Sequence, residues 1–313
     1  MIRQLVLLAL ILLLAAPASA SFGIAGGHIR YIYVYGDSYN DDEEIWTGFL
    51  EDHGIEREQF WTAASGGARA EHNDTAGEFG CDAADPPGYD LCKGFIEKQV
   101  LYLDGACRSD YSTAGHSANR DGKTGSTCIA DRDIGPNDIC VFATGTNDVN
   151  QGSPVSWAGT YGPGAEAAVE RILDEFDRVG CPTVVSSSVP LIRGYPSNFW
   201  RDDLDLDYND NAILFSEWLK AEVETRDNMV FVDVREEFDR IATVHGEAAF
   251  LSLYDCAGGR GSDYPSECAD GVHPHYTAGI LGYSGRELQA QMMGRAILNL
   301  RNRVRNAPVW IGN

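Results

Sequence analysis

Two hydrophobic rhythms alternate along this chain. From Ile29 to Tyr35 the residues Ile, Tyr and Val run almost unbroken, the pattern of a strand buried on both faces of a parallel sheet. The run ends at Gly36-Asp37-Ser38, and acidic residues from Asp41 to Glu44 follow, favourable company for a helix N-terminus. That helix is predicted to continue through Ile45, Phe49 and Leu50 and to stop at His53-Gly54. A second, short strand covers Gln59 to Ala63 and ends at Ser65-Gly66-Gly67. The same alternation returns further on. Asp138 to Thr144 is an apolar strand closed by Gly145-Thr146-Asn147-Asp148. Ala165 to Val179 carries Ala165, Ala168, Ile172, Phe176 and Val179 on one stripe and is closed by Gly180, the signature of an amphipathic helix with a glycine stop. Thr183 to Val189 reads as a strand, Tyr208 to Thr225 as a helix, and Met229 to Val234 as the fifth strand. A last helix, about Gly285 to Val304, places Leu288, Met292, Ala296 and Leu300 in register. Strands alternating with helices predict an α/β protein whose parallel sheet is covered by helices on both faces.

Two stretches depart from this rhythm. Arg3, the apolar run Leu5 to Ala16 and the small residues Ala18-Ser19-Ala20 make residues 1–20 read as a secretory signal peptide cleaved near Ala20. The apolar run is shorter than the roughly 20 residues a membrane span needs, so export with no stable membrane insertion is expected. Residues 21–313 then form a single domain. Within it, residues 70–136 hold four cysteines, many Gly, Asp and Ser, and one helix predicted over Leu91 to Leu103. A stretch this long inside a compact domain is usually functional or tied down, and it reads as a disulfide-rich insertion near the site's rim.

Cysteine count and charge narrow the setting. The eight cysteines are Cys81, Cys92, Cys107, Cys128, Cys140, Cys181, Cys256 and Cys268, an even number that suits disulfides in an exported chain. No Cys-x-x-Cys or Cys/His spacing points to zinc. Pairs closing short loops are expected, namely Cys81 with Cys92, Cys107 with Cys128 and Cys256 with Cys268. Cys140 and Cys181 each open a predicted strand, and either bridge neighbouring strands or stay as buried thiols. The formal net charge of −23 disfavours nucleic acids and anionic membrane surfaces as partners. Asp203-x-Asp205-x-Asp207 imitates a calcium loop, but Tyr208 stands where that loop needs glycine and Leu214 where it needs glutamate. No metal or cofactor is expected.

Parallel sheets gather reactive groups at the carboxyl ends of their strands. Three polar clusters sit at such ends here: Gly36-Asp37-Ser38, Ser65-Gly66 and Gly145-Thr146-Asn147-Asp148. A fourth, Asp270-Gly271-Val272-His273-Pro274, precedes the last helix. Ser38, between a strand end and a helix start, has its hydroxyl at the sheet's rim, where a positioned base can activate it. His273 is the candidate base, and Asp270 the carboxylate that accepts its other ring N–H. The backbone N–H groups of Ser38 and Gly66 and the side-chain amide of Asn147 are candidate donors to an oxyanion, with Gly67 an alternative to Gly66. Asp37 and Asp148 read as structural, organising the loops. His275, two residues on, is a rival base that the Asp-x-x-His spacing disfavours.

In this order, Tyr35-Gly36-Asp37-Ser38, the glycine after the second strand, Gly145-x-Asn147-Asp148 and Asp270-x-x-His273 resemble the four blocks of the SGNH (GDSL-type) hydrolases. The resemblance runs from about Ile29 to Leu300, without a counterpart for residues 70–136. It implies a three-layer α/β/α fold with a flavodoxin-like five-stranded parallel sheet, and a serine esterase acting through an acyl-enzyme with the triad Ser38, Asp270 and His273. It departs from the family pattern in one place: Gly279 lies six residues after His273, where the family usually has glycine about five on. Export and the aromatics Trp46, Trp61, Trp157, Phe199 and Trp200, which could stack on sugars or simply pack, favour short acyl esters of carbohydrates. The other readings are a lipase or lysophospholipase of the same family, an acyltransferase, and a non-catalytic secreted binding module. The Ser, Asp, His order differs from that of trypsin-like and subtilisin-like proteases.

Overall fold

The computed structural model of the chain describes residues 29–37, 44–64, 96–101, 128–129, 132–146, 148, 163–187, 208–254, 274 and 278–305. Residues 1–20, expected to be a signal peptide, most of the expected insertion at 70–136 and the acidic run 203–207 lie outside these residues. The described strands form one five-stranded sheet, entirely parallel. They are β1 (Ile32–Gly36), β2 (Phe60–Thr62), β3 (Ile139–Ala143), β4 (Thr183–Ser186) and β5 (Met229–Val232). Their spatial order is β2-β1-β3-β4-β5, the flavodoxin-like order in which the chain reverses direction of growth between β1 and β3. The fold class expected from the alternation of strands and helices is therefore the one observed.

Burial explains why these runs are strands of such a sheet. Every residue of β1, β3 and β4 is buried. Successive side chains of a strand point to opposite faces, so both faces of the inner strands are covered. The outer strands β2 and β5 each keep two partly exposed residues, as strands with one unpaired edge do.

The described α-helices are α1 (Glu44–Glu51), α2 (Ile96–Val100), α3 (Pro163–Val179), α4 (Tyr208–Glu224), α5 (Val234–His245), α6 (Glu247–Ser252) and α7 (Gly285–Arg305). Phe176 of α3 meets Tyr35 of β1 and Phe142 of β3, with ring centroids 5.3 and 6.3 Å away. Helix α2 packs on α3 and β1, and the buried carboxylate of Glu97 accepts from Arg171 Nε at 2.6 Å. Helix α7 packs against α1 and reaches β4 and β5, while α4 lies on β5. At the amino end of the central pair, Arg30 grips the fully buried Asp138 with two hydrogen bonds of 2.9 and 2.6 Å. This bidentate pair ties the start of β1 to the start of β3 and raises the Arg30 pKa above its ordinary value.

Several boundaries differ from the sequence expectation. The fifth strand does not run to Val234. It stops at Val232, because the Asp233 carboxylate accepts the Glu236 N–H at 2.8 Å and caps α5, turning the chain out of the sheet. Helices α5 and α6 were not predicted at all, although Asp233 followed by Glu236-Glu237 is a legible helix start. Strand β4 ends at Ser186 and not at Val189, and the helix expected over Leu91 to Leu103 is helical from Ile96 to Val100, with Leu101 beyond its end.

Cys140 and Cys181 form a disulfide with Cα atoms 6.1 Å apart. Of the two alternatives open at the sequence level, the bridge between neighbouring strands is the one realised. Cys140 is the second residue of β3, and Cys181 lies two residues before β4, so the bridge sits at the amino ends of the strands. Cys128 is also disulfide-bonded, whereas Cys81, Cys92, Cys107, Cys256 and Cys268 lie outside the described residues. No described helix is long and apolar enough to cross a membrane.

The Cys140–Cys181 bridge closes a loop of 41 residues. Replacing both cysteines by alanine is expected to cost about 2–4 kcal/mol of stability through the freed unfolded chain. Urea denaturation followed by circular dichroism checks this; an unchanged midpoint would show that the bridge contributes nothing.

Candidate active site

Three of the blocks expected to form the site, those bearing Ser38, Gly66 and Asn147, follow β1, β2 and β3 in the chain. In the sheet, β1 is central to these three, and Gly36 pairs with Ala143 in register. The two strands therefore finish level with each other, and the residues that continue them, Asp37 and Thr144, leave the sheet from adjacent positions. Gly36 is required there. Its φ is +136°, a region L side chains rarely adopt, and a Cβ would run into the Ala143 carbonyl oxygen. Tyr35, one residue earlier, is fully buried, and that burial pushes its phenol well above the ordinary tyrosine range, so its hydroxyl stays neutral. Asp37 is buried too.

The segment after β3 is held by a carboxylate. Asp148 Oδ2 accepts from Thr144 Oγ1 at 2.8 Å and from the Gly145 N–H at 3.2 Å. Asp148 is buried, as is Thr146. The carboxylate of Asp148 thus ties back to the first two residues after β3, as expected for an aspartate that organises the loop. On the other side, the β1–β2 pairing extends one residue past the strand, with Ala63 N–H donating to the Val34 carbonyl at 2.8 Å. Ala63 and Ala64 are buried immediately before Ser65-Gly66.

The block before α7 is represented by Pro274, the residue after His273. Pro274 is buried. Its carbonyl accepts from Arg286 Nε at 3.1 Å. Helix α7, which follows this block, lies on α1, which follows the Ser38 block: Gly294 faces the Phe49 ring too closely to admit a Cβ, and Arg301 donates to the His53 carbonyl at 3.3 Å. Ser38, Gly66, Gly67, Asn147, Asp270, His273 and His275 themselves lie outside the described residues. Their described neighbours in sequence, Asp37, Ala64, Thr146, Asp148 and Pro274, are all buried.

The same rim carries polar residues that sequence reasoning did not single out. Ser187, just past β4, donates its hydroxyl to Asp233 Oδ1 at 3.3 Å and accepts the Arg235 N–H at 3.1 Å. These bonds knit the ends of β4 and β5 to the start of α5, which is a structural task. Of the aromatics considered for stacking on sugars, Trp61 has a described side chain, and its ring is occupied from within. Arg132 lies over it at 3.8 Å, and Tyr31 meets it edge-on at 6.4 Å. Trp157, Phe199 and Trp200 lie outside the described residues, as does the side chain of Trp46.

No protein-family model matches the chain, and none of the curated proteins matches it. Among solved structures it is similar to a Bacteroides fragilis protein provisionally named an acylhydrolase, at 12% identity and a TM-score of 0.45, covering 87% of this chain and 88% of that one. It is similar as well to a provisionally named arylesterase from Agrobacterium tumefaciens, at 15% identity and a TM-score of 0.40 over 89% of this chain and all 100% of that one. A third is a Streptococcus pneumonia protein provisionally named a platelet activating factor, at 14% identity and a TM-score of 0.41, covering 86% and 84%. These likenesses concern the fold.

If Asp148 holds its turn as the geometry indicates, Asp148→Ala strands a buried hydroxyl and a buried N–H and is expected to cost about 2 kcal/mol. Asp148→Asn keeps an acceptor and is expected to recover about half. Chemical denaturation of the two variants checks the order, and equal stability of Asp148→Ala and wild type would remove the carboxylate from this role.

Proposed function

We propose that the protein is an exported serine esterase in which Ser38 attacks the ester carbonyl, His273 takes the serine proton and Asp270 orients His273. The observation that carries this reading is the level ending of β1 and β3, Gly36 beside Ala143. It delivers the segments bearing Ser38 and Asn147 from neighbouring strand ends. The packing of α7 on α1 supports the reading further, because it draws the chain after His273 toward the chain after Ser38.

The chemistry follows from the residue types. A serine hydroxyl is a weak nucleophile until a base removes its proton as the new C–O bond forms. A histidine near its ordinary pKa can take that proton and then deliver it to the departing alkoxide, and a carboxylate on its other nitrogen stabilises the imidazolium between these events. The tetrahedral oxyanion needs donors that are in place beforehand. In this reading they are the backbone N–H groups of Ser38 and Gly66, or Gly67 in place of Gly66, and the Asn147 amide. Water then attacks the acyl-enzyme by the same route, returning the proton to Ser38. Nucleophile, base and oxyanion donors all come from the chain, so the reaction calls on no metal or cofactor. The substrate class we favour is a short acyl, foremost acetyl, ester of a carbohydrate, the leader-like residues 1–20 placing the enzyme where such polymers occur.

A fluorophosphonate probe tests the mechanism: wild type should label at Ser38 and Ser38→Ala should not, whereas labelling that survives in Ser38→Ala would overturn the assignment. Asn147→Ala is expected to lower kcat by about two to three orders of magnitude with folding intact, and a rate within threefold of wild type would take Asn147 out of the oxyanion hole. A series of acyl lengths decides the substrate class. A steep fall beyond acetyl or butyryl supports the carbohydrate esterase, and a preference for long chains makes the enzyme a lipase or lysophospholipase.

A further inference from the structure

Arg286 occupies a position that elementary electrostatics disfavours. It is the second residue of α7, where the partial positive charge of the helix N-terminus repels a cation. It is also buried, with 7% exposure, and burying a charged group costs more again. A cation in such a place needs a compensating contact, and the Nε–H of Arg286 makes one with the main-chain carbonyl of Pro274, at 3.1 Å in a buried setting.

The contact is part of a tight seat. Gly285, the first residue of α7, has no room for a side chain: a Cβ there would lie 2.7 Å from Pro274 Cβ and would run into the Leu253 carbonyl oxygen. The start of the helix is fixed independently, because Ser284 Oγ accepts the Glu287 N–H at 3.0 Å as an N-cap. The segment leading into it is pinned to the end of α6, where the Ile280 N–H donates to Ser252 Oγ at 3.2 Å. Pro274 therefore lies against a helix start held by these two hydrogen bonds, and the guanidinium donates to its carbonyl. Proline in turn restricts the backbone of the residue before it, and that residue is His273.

We propose that Arg286 is a positioning residue for the general base: by holding the Pro274 carbonyl against the first turn of α7, it fixes the main chain on which His273 is mounted. The proposal rests on the esterase reading and extends it to a residue outside the proposed triad and oxyanion donors. Misplacing a catalytic group by about 1 Å from a distance can cost on the order of 100-fold in rate, and this is the loss expected.

The test measures three variants of the full chain on a soluble acetyl ester, with KM, kcat and melting temperature recorded for each. Arg286→Met removes the donor and keeps most of the stem. Gly285→Ala pushes on Pro274 from the other side and leaves Arg286 intact. Phe238→Leu, in the core of α5, serves as a control for loss of stability alone. Arg286→Met and Gly285→Ala are expected to lower kcat about 100-fold with KM within threefold of wild type, Arg286→Lys to recover part of the rate, and Phe238→Leu to lose stability without losing kcat. A folded Arg286→Met with wild-type kcat overturns the proposal, as does Gly285→Ala with wild-type kcat should Arg286→Met not fold. A second readout separates this failure from failure of the esterase reading. The His273 imidazole signal, assigned by NMR from its loss in His273→Gln, should shift in Arg286→Met and stay put in Phe238→Leu. If wild type neither hydrolyses esters nor labels with fluorophosphonate, the esterase reading fails, and the imidazole signal alone decides whether Arg286 places His273.

Discussion

The hydrogen-bonded pairing of β1 with β3 is the constraint on which the remainder of this molecule depends. These two strands are separated by more than a hundred residues of sequence, yet they run parallel, in register from Ile32 beside Ile139 to Gly36 beside Ala143. Neither has a face turned to water. Backbone groups so deeply buried must be paired, and here each strand satisfies the other while β2 and β4 flank them. Because a parallel sheet sends all its strands the same way, everything that follows a strand emerges on one rim. Asp37, Ala63 and Thr144, the first residues after β1, β2 and β3, leave the sheet on that rim as a consequence of topology, before any side chain takes part.

Buried polar bonds then decide how the chain leaves the sheet. At the exit from β3, Asp148 folds the turn over with a hydroxyl and an amide as donors. At the exits from β4 and β5, Ser187 and Asp233 share a hydrogen bond and start α5. Ahead of α7, Arg286 secures the Pro274 carbonyl. Buried polar groups are costly unless satisfied, so each of these bonds narrows the positions its segment can take. The opposite rim is fastened differently, by the Arg30–Asp138 pair and the Cys140–Cys181 bridge. Among the described residues, the amino-end rim is thus fastened by an ion pair and a covalent link, and the opposite rim by hydrogen bonds from and to single charged side chains, Asp148, Asp233 and Arg286.

The proposed esterase chemistry is compatible with a strongly acidic chain. A net charge of −23 repels polyanions at long range and leaves a neutral ester unaffected. A disulfide within the core suits an oxidising compartment, in agreement with the leader-like residues 1–20, which export requires and which lie outside the described residues.

How much of this was readable from the residues alone follows their physics. The strands β1 and β3 were plain, since a strand buried on both faces tends to be apolar throughout, and Ile32 to Tyr35 and Ile139 to Phe142 are. The amphipathic stripe of α3 was equally plain, its Phe176 landing on Tyr35 and Phe142. The apolar run Met229 to Val234 hides the start of α5, because it continues past Asp233, whose carboxylate caps that helix. The candidate chemistry at positions 38, 66, 147, 270 and 273 was legible as residue type and order. Local sequence determined which segments are strands, which are helices and where reactive side chains punctuate them, because those outcomes depend on neighbours a few residues away. Tertiary structure alone decided that β1 lies beside β3, that Cys140 bonds to Cys181, and that Arg286 meets Pro274. Those contacts join residues that only the closing of the whole sheet and its helices brings within bonding distance.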